Sequence, residues 1–340
     1  MAAAAVAPGE STHASHTPFL RLSVLLGDMT DRNLTLAAQA GATDVVAPYT
    51  KTRAEMVAMR DRIAKHGMRL AVCERLWPHD AIVHNLPGRD AQIEDTKRLI
   101  RDLGHCGVGV FCYNWMPADD WSRTSIDTPT RGGALVSAFD MAAQDLTLDA
   151  DVEGYRRGGK KRKPTPAAEL WANLRYFLEQ VLPVCAEARV ALALHPDDPP
   201  LPSFRGVEQI MCSAAALVRA ATLVPSPWNG ICFCQGTLAS AGEDIPKAIA
   251  LCAPHIKFVH FRDVVGTVPA FTEAWHDMGK TDMVAAMRAY RAAGLVDVPI
   301  RPDHAPTMAG ESNAHPGYEM LGRLFALGYM KGLIESAAHA

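Results

Sequence analysis

Eight short apolar runs, separated by stretches of helical period, constrain this chain more than any other feature. They are "LSVLL" (22–26), "TDVVA" (43–47), "RLAVC" (69–73), "VGVFC" (108–112), "VALALH" (190–195), "GICFC" (230–234), "IKFVH" (256–260) and "VPIRPD" (298–303). Near-continuous Val, Ile, Leu and Phe suit strands buried on both faces of a parallel sheet, because a half-exposed strand would alternate apolar with polar. Segments between them, such as "RAEMVAMRDRIAKHG" (53–67) and "AQIEDTKRLIRDLGHCG" (91–107), carry helical periodicity and end on Gly, the residue that most readily closes a helix. Strand then helix, eight times, predicts an α/β fold of the (β/α)8 TIM barrel type, a single domain over residues 19–340.

One connection breaks the alternation. The fourth strand ends near Cys112 and the fifth starts near Val190, too long a gap for one helix. It holds the polar segment "YNWMPADDWSRTS", the basic run "RRGGKKRKPTP" (156–166) and a long helix from about Ala167 to Ala188. Residues 113–166 are therefore expected to be an inserted loop region after strand 4, over the barrel face where active sites form. The basic run, flanked by Gly and Pro, is expected to be solvated. Residues 1–18 are expected to be a disordered tail, since no Lys or Arg precedes the brief apolar stretch that a secretory signal would need.

Composition narrows the function classes. A formal net charge of -3, with 21% charged residues, gives no basic surface for nucleic acid. No apolar run approaches the roughly 20 residues of a membrane-spanning helix. Most of the eight cysteines lie inside apolar segments, which suits unpaired thiols in a reducing, cytoplasmic setting. In "CFC" (232–234), strand alternation puts both sulfurs on one face and Phe233 on the other.

The chemistry gathers at strand ends. If the barrel closes, His195, Cys234, His260 and Asp303 end strands five to eight and face one mouth. Two imidazoles, a thiolate and a carboxylate are all lone-pair donors, the set expected for a divalent metal site. Taken singly, His195 reads as a loop histidine, Cys234 as a small buried apolar residue, His260 as a strand end and Asp303 as a turn cap. Four such residues at equivalent places on adjacent strands make the metal site the better reading. Around them stand His304, Tyr318, Arg262, Glu273 and His276. Arg262 is expected to bind a substrate carboxylate through two parallel hydrogen bonds, and His304 and Tyr318 are suitable acid and base types. Alone, Tyr318 reads as a helix-start aromatic and Glu273 as a surface carboxylate.

Several segments resemble the mannonate dehydratases of hexuronate breakdown: "QAGATDVV" (39–46), "CYNWMPADDWSRT" (112–124), "HPDDPP" (195–200), "CQGTL" (234–238), "VHFRD" (259–263), "EAWHDMG" (273–279), "RPDH" (301–304) and "PGYEMLGRLFALGYMKGL" (316–333). The resemblance covers the chain from about Arg21 to the last helix. It implies a TIM barrel that binds Mn2+, or another divalent ion such as Mg2+, Co2+, Fe2+ or Zn2+, and dehydrates D-mannonate to 2-keto-3-deoxy-D-gluconate. It also implies that His195, Cys234, His260 and Asp303 hold the metal, and that His304 and Tyr318, with Arg262 as carboxylate clamp, carry the catalysis. Asn114, Asp197 and His276 are the expected substrate contacts. Two places depart from the family pattern. The first strand, "LRLSVLLGDM", lacks the usual aromatic residues, and Ala305 and Pro306 follow "RPDH" where Gly and His are usual. The alternatives left open are a related metal-dependent lyase, epimerase or isomerase acting on another sugar acid, keto-sugar or glycoside, and a sugar-acid binding protein without turnover. A small-molecule substrate and a homodimer are expected.

Substitutions separate the metal set from the proton-handling pair. Cys234→Ser should weaken metal binding severely, and His304→Asn should leave the metal in place while turnover stops. Full metal occupancy and activity in Cys234→Ser would contradict the site.

Overall fold

The eight apolar runs form eight parallel strands: β1 (Leu20–Leu25), β2 (Asp44–Ala47), β3 (Arg69–Glu74), β4 (Val110–Asn114), β5 (Ala191–His195), β6 (Ile231–Cys234), β7 (Ile256–Phe261) and β8 (Val298–Pro302). Each pairs with its sequence neighbours, and β8 pairs with β1, so the sheet closes into a barrel without an edge. Closure removes the unpaired backbone groups that an open sheet exposes. This computed structural model describes residues 19–50, 52–74, 79–118, 121–146, 148–151, 154–157 and 164–339. The N-terminal segment 1–18 and residues 158–163 of the basic run, for which a tail and a solvated loop were expected, lie outside the described residues.

Eight principal helices follow the strands: α1 (Asp31–Gln39), α2 (Arg53–Ala64), α3 (Arg89–His105), α4 (Ala167–Ala188), α5 (Ala214–Leu223), α6 (Ile245–Cys252), α7 (Met283–Ala292) and α8 (Met320–Ala338). Their starts are written in short polar side chains. Thr52 accepts from the Glu55 amide while the Glu55 side chain accepts from the Thr52 amide, a reciprocal capping box, and Ser213, Asp244 and Asp282 each cap an amide three residues on. These bonds satisfy donors that a helix start leaves open. Gly67, with φ of 74°, turns the chain out of α2 as its place in the sequence predicts. Among the described residues no helix is long and apolar enough to cross a membrane.

The core has two layers. Inside the barrel, Val46, Ala71, Val110, Cys112, Ala193, Cys232 and Phe258 form one apolar cluster; between strands and helices lies a larger one containing Phe233. Cys232 and Phe233 therefore face opposite ways, with Phe233 edge-on to Tyr290 of α7 at 5.9 Å. Continuing the alternation, Cys234 returns to the inner side at the carboxyl end of the strand. That is how a buried-looking run delivers a thiol to the mouth.

The insertion after β4 departs from expectation. Instead of a polar loop region, it is largely β-structure. Strand 125–129 pairs with 135–140, which pairs with 270–273 from the excursion after β7, and 264–267 completes a four-stranded sheet. The segment read as polar is mostly buried, including Trp115, Met116, Trp121 and Arg123. The hairpin is local, but the partner that makes it a sheet, 270–273, lies far away in sequence, so local periodicity carried no sign of that pairing.

Close packing of α3 on α4 gives a test of this architecture. A Cβ at Gly104 would stand 2.4 Å from the Ala188 carbonyl oxygen, so Gly104→Ala must push the two helices apart. The expected loss is about 1–3 kcal/mol, the usual cost of overpacking, read as a lower midpoint in thermal or urea unfolding. An unchanged midpoint would contradict the contact.

Candidate functional site

Register brings the strand-end residues into one ring. His195 lies beside Asn114 across β5 and β4, Cys234 lies opposite His260, and His260 lies opposite Arg301. One donor atom each from His195, Cys234 and His260 fall within 4.8 Å of one another. Asp303, just past β8, brings its Oδ2 to 3.8 Å from Cys234 Sγ and 3.8 Å from His260 Nδ1. The four expected donors thus converge. His195, His260 and Asp303 line a cavity of roughly 510 Å³, counting its open mouth, together with Glu74, Asn114, Met116, Trp121, Asp198, Arg301, His304 and Tyr318, and Cys234 is buried behind that lining. Of the three residues expected to contact substrate, only Asn114 stands there.

Local chemistry prepares these donors. The Pro196 carbonyl can only accept, so His195 Nδ1, 2.6 Å away, carries a proton and Nε2 is the nitrogen open to a metal. Burial pushes the Cys234 thiol up, but the neighbouring Arg262 and His195 outweigh it and hold the group well below its ordinary value. Thr237 also donates to this sulfur at 3.1 Å. His195 is in turn pushed up to about 9, the Cys234 charge overcoming burial, and His260 is raised above its usual range by Glu74 and Asp303 against burial and Arg301. Both imidazoles gain affinity for positive charge because the cluster carries an excess of negative charge. A divalent cation supplies that charge to the same lone pairs, releasing protons as it binds. The residues present fit a divalent metal. Glu74 Oε2, 3.3 Å from His260 Nε2, adds the carboxylate that commonly steadies a ligating histidine from behind.

Arg262 departs from its expected role as substrate clamp. It is buried, and its N–H groups are all committed: Nε to Asp303 Oδ2 at 2.8 Å, Nη1 to both oxygens of Glu273 at 2.9 and 2.8 Å, and Nη2 to Asp198 Oδ2 and Thr237 Oγ1, both at 2.8 Å. Even its path is reserved, since a Cβ on Gly236 would meet Arg262 Cγ at 2.5 Å. Arg262 holds the carboxylates of the site rather than one from solution. Arg301 is equally engaged, donating to Glu74 at 2.8 and 2.6 Å and to Asp303 Oδ1 at 2.7 Å. Arg123, from the insertion, donates to both oxygens of Asp198 and, at 2.5 Å, to Glu273 Oε1.

This lattice aims His304 and Tyr318. Glu273, far from being a surface carboxylate, is 3% exposed and accepts from His304 Nδ1 at 3.0 Å. Burial would raise it, but Arg262, His304 and Arg123 bring it down to about 2. An ionised acceptor fixes the proton on His304 Nδ1 and leaves Nε2 facing the Tyr318 hydroxyl at 3.1 Å. The same hydroxyl lies 3.3 Å from Asp303 Oδ1, so its single proton has two acceptors to choose between. His304 adopts a φ of 42°, a left-handed conformation uncommon outside glycine, with Trp121 and Tyr318 edge-on to its ring at 5.8 and 5.4 Å.

Asp197 and His276, expected to contact substrate, do not line the cavity. Asp197 turns away from the cavity, its Oδ2 accepting from the Met211 amide at 2.7 Å; its neighbour Asp198 lines the wall instead. His276 is fully buried beside Phe261, and burial lowers it to about 4, so it sits neutral behind the wall. Sequence reasoning passed over Glu74, Arg123, Asp198 and Arg301. Glu74 could have been found by the strand-end rule, being the last residue of β3. Arg123 had no local signal.

Comparisons with known proteins identify the family. The family model "D-mannonate dehydratase (UxuA)" matches residues 26–340. Mannonate dehydratase 2 of Halalkalibacterium halodurans is 32% identical over 314 residues, spanning 87% of this chain and 90% of that one. The mannonate dehydratase of Thermotoga maritima is 34% identical over 309 residues, 83% and 85% of the two chains. Among solved structures, mannonate dehydratase from Streptococcus suis superposes with a TM-score of 0.84 at 28% identity, covering 94% of this chain and 95% of that one. An L-ribulose 3-epimerase, at TM-score 0.61 and 13% identity over 94% and 96% of the chains, shares the fold alone.

Acid should undo the lattice in a defined window. Glu273 titrates near 2 when folded and near its ordinary 4.5 when unfolded, so its contribution is complete above pH 4.5 and lost as pH falls toward 2. Wild type should melt above Glu273→Gln at pH 6, and the gap should close as pH falls through that window. A gap independent of pH would contradict the assignment.

Proposed function

The chain belongs to the D-mannonate dehydratase (UxuA) family, and from that premise we propose that it is a hydro-lyase converting D-mannonate to 2-keto-3-deoxy-D-gluconate and water. The observation that carries the reading is the convergence of His195, Cys234, His260 and Asp303 at one mouth, with the His304–Tyr318 pair against the same wall. The reaction removes the proton on C2 and expels the hydroxyl on C3, and the resulting enol becomes the 2-keto acid. The first step is hard because it leaves charge beside a carboxylate.

A divalent cation held by His195, Cys234, His260 and Asp303 would act as a Lewis acid toward the carboxylate end of the substrate, where that charge develops. The family resemblance favours Mn2+; a donor set of this kind accepts several divalent ions. The chain's own residues supply the proton handling. His304, oriented by the Nδ1–H bond to Glu273, accepts the C2 proton at Nε2, and the Tyr318 hydroxyl protonates the departing C3 oxygen. Glu273, Arg262 and Arg123 position His304 and touch no reacting atom. Asn114 and Asp198, on the cavity wall, are placed to meet substrate hydroxyls, and Trp121 and Met116 shield the site from water. Eight unpaired cysteines suit a reducing compartment, and we place the enzyme in the cytoplasm.

Incubating the Mn2+-loaded chain with D-mannonate and other aldonates tests the reading by mass and by assay for 2-keto-3-deoxy acids. D-mannonate should yield a product lighter by one water. A product of unchanged mass, or no turnover of any aldonate with metal bound, would overturn the proposal.

A further inference from the structure

Below the mouth, the barrel interior holds a second set of soft donors that the proposed chemistry leaves unused. Cys112 on β4 and Cys232 on β6 are both buried in the inner cluster, and their sulfurs and one ring nitrogen of His260 lie within 4.8 Å of one another. Neither cysteine is in a disulfide. Ala193 stands on the intervening strand β5 in register with Cys112, and its small side chain leaves room for the sulfurs to approach across it. The rest of this layer is Val46, Ala71, Val72, Val110 and Phe258, which carry no side-chain oxygen, and the carboxylate beside it, Glu74, 3.3 Å from His260 Nε2, is held by Arg301 through both oxygens. Hard ions that keep a shell of oxygens and water are poorly served there; thiolate-seeking ions are well served.

We propose that Cys112, Cys232 and His260 form a second metal site, selective for a thiophilic divalent ion such as Zn2+ or Cd2+, and that it competes with the mouth site for His260. Binding forms two metal–sulfur bonds and one metal–nitrogen bond and sends two thiol protons to solvent. A tetrahedral ion about 2.3 Å from each sulfur spaces the sulfurs about 3.8 Å apart, so side-chain rotation closes the site without moving the strands. Such an ion inhibits by withdrawing a ligand from the mouth rather than by filling the cavity, so substrate does not relieve the inhibition. The inference goes beyond the dehydratase reading, and its test does not read activity.

The full-length Cys234→Ser chain isolates the inner site. Titrated with Cd2+, it should take up one ion per chain with the sulfur-to-cadmium charge-transfer absorption of two thiolates. Adding Cys232→Ala should halve that absorption and weaken binding at least tenfold, and adding Cys112→Ala as well should abolish it, with circular dichroism reporting the fold. In the wild-type chain loaded with Mn2+, Cd2+ should release Mn2+, seen by electron paramagnetic resonance, and Cys232→Ala should lessen the release. Failure of Cys234→Ser to bind Cd2+, or an unchanged signal in its Cys232→Ala derivative, would overturn the site; equal Mn2+ release with and without Cys232 would overturn the competition. Cys232→Ala deletes a single sulfur, so this arm holds even if the triple variant does not fold.

Discussion

Arg262 is the interaction on which the rest of the site depends. One guanidinium, fully buried, spends its donors on Asp303, Glu273, Asp198 and Thr237, and so joins the end of β8, the excursion after β7, the loop after β5 and the short helix after β6. Buried charges are tolerated only where they are paired and hydrogen-bonded. Arg123 and Arg301 complete the pairing from the insertion and from β8. A lattice of this kind is costly to break from one side, because removing any member strands its partners in a dry environment. The carboxylates it holds therefore keep their places whether they serve as ligand or as orienter.

The same lattice explains how the mouth can hold the candidate metal donors beside His304 and Tyr318. Asp303 is gripped by Arg262 through one oxygen and by Arg301 through the other, which fixes the plane of its carboxylate next to Cys234 and His260. Glu273 is gripped by Arg262 and Arg123 and passes that constraint to His304. Positioning of this quality is what acid–base chemistry requires, since a small displacement of a catalytic group costs much of its effect. The barrel contributes rigidity and the insertion contributes Arg123 and Trp121.

Much of this was legible in the sequence, and the limits follow from physics. The strands were readable because burial on both faces leaves an uninterrupted apolar run, and β5 and β6 end at the residues predicted, His195 and Cys234. The convergence of His195, Cys234, His260 and Asp303 was readable because a closed parallel barrel sends every strand end to one face. The role of Arg262 was not. A lone arginine after a strand suggests a free guanidinium, and nothing local shows that Glu273 and Asp198 will occupy it. The insertion was misread for a related reason: its sheet is built with the excursion after β7, and Arg123 is buried because its carboxylates come from 75 and 150 residues away. Asp197 and Asp198 are adjacent and chemically alike, and only the turn of the backbone decides which faces the cavity.

X-ray absorption at the manganese edge of the Mn2+-loaded chain tests the central claim most directly. The expected spectrum is a shell of nitrogen and oxygen with one sulfur, the sulfur disappearing in Cys234→Ser. A shell of nitrogen and oxygen alone in the wild-type chain would contradict it, because the thiolate that the strand β6 delivers to the mouth would then hold no metal.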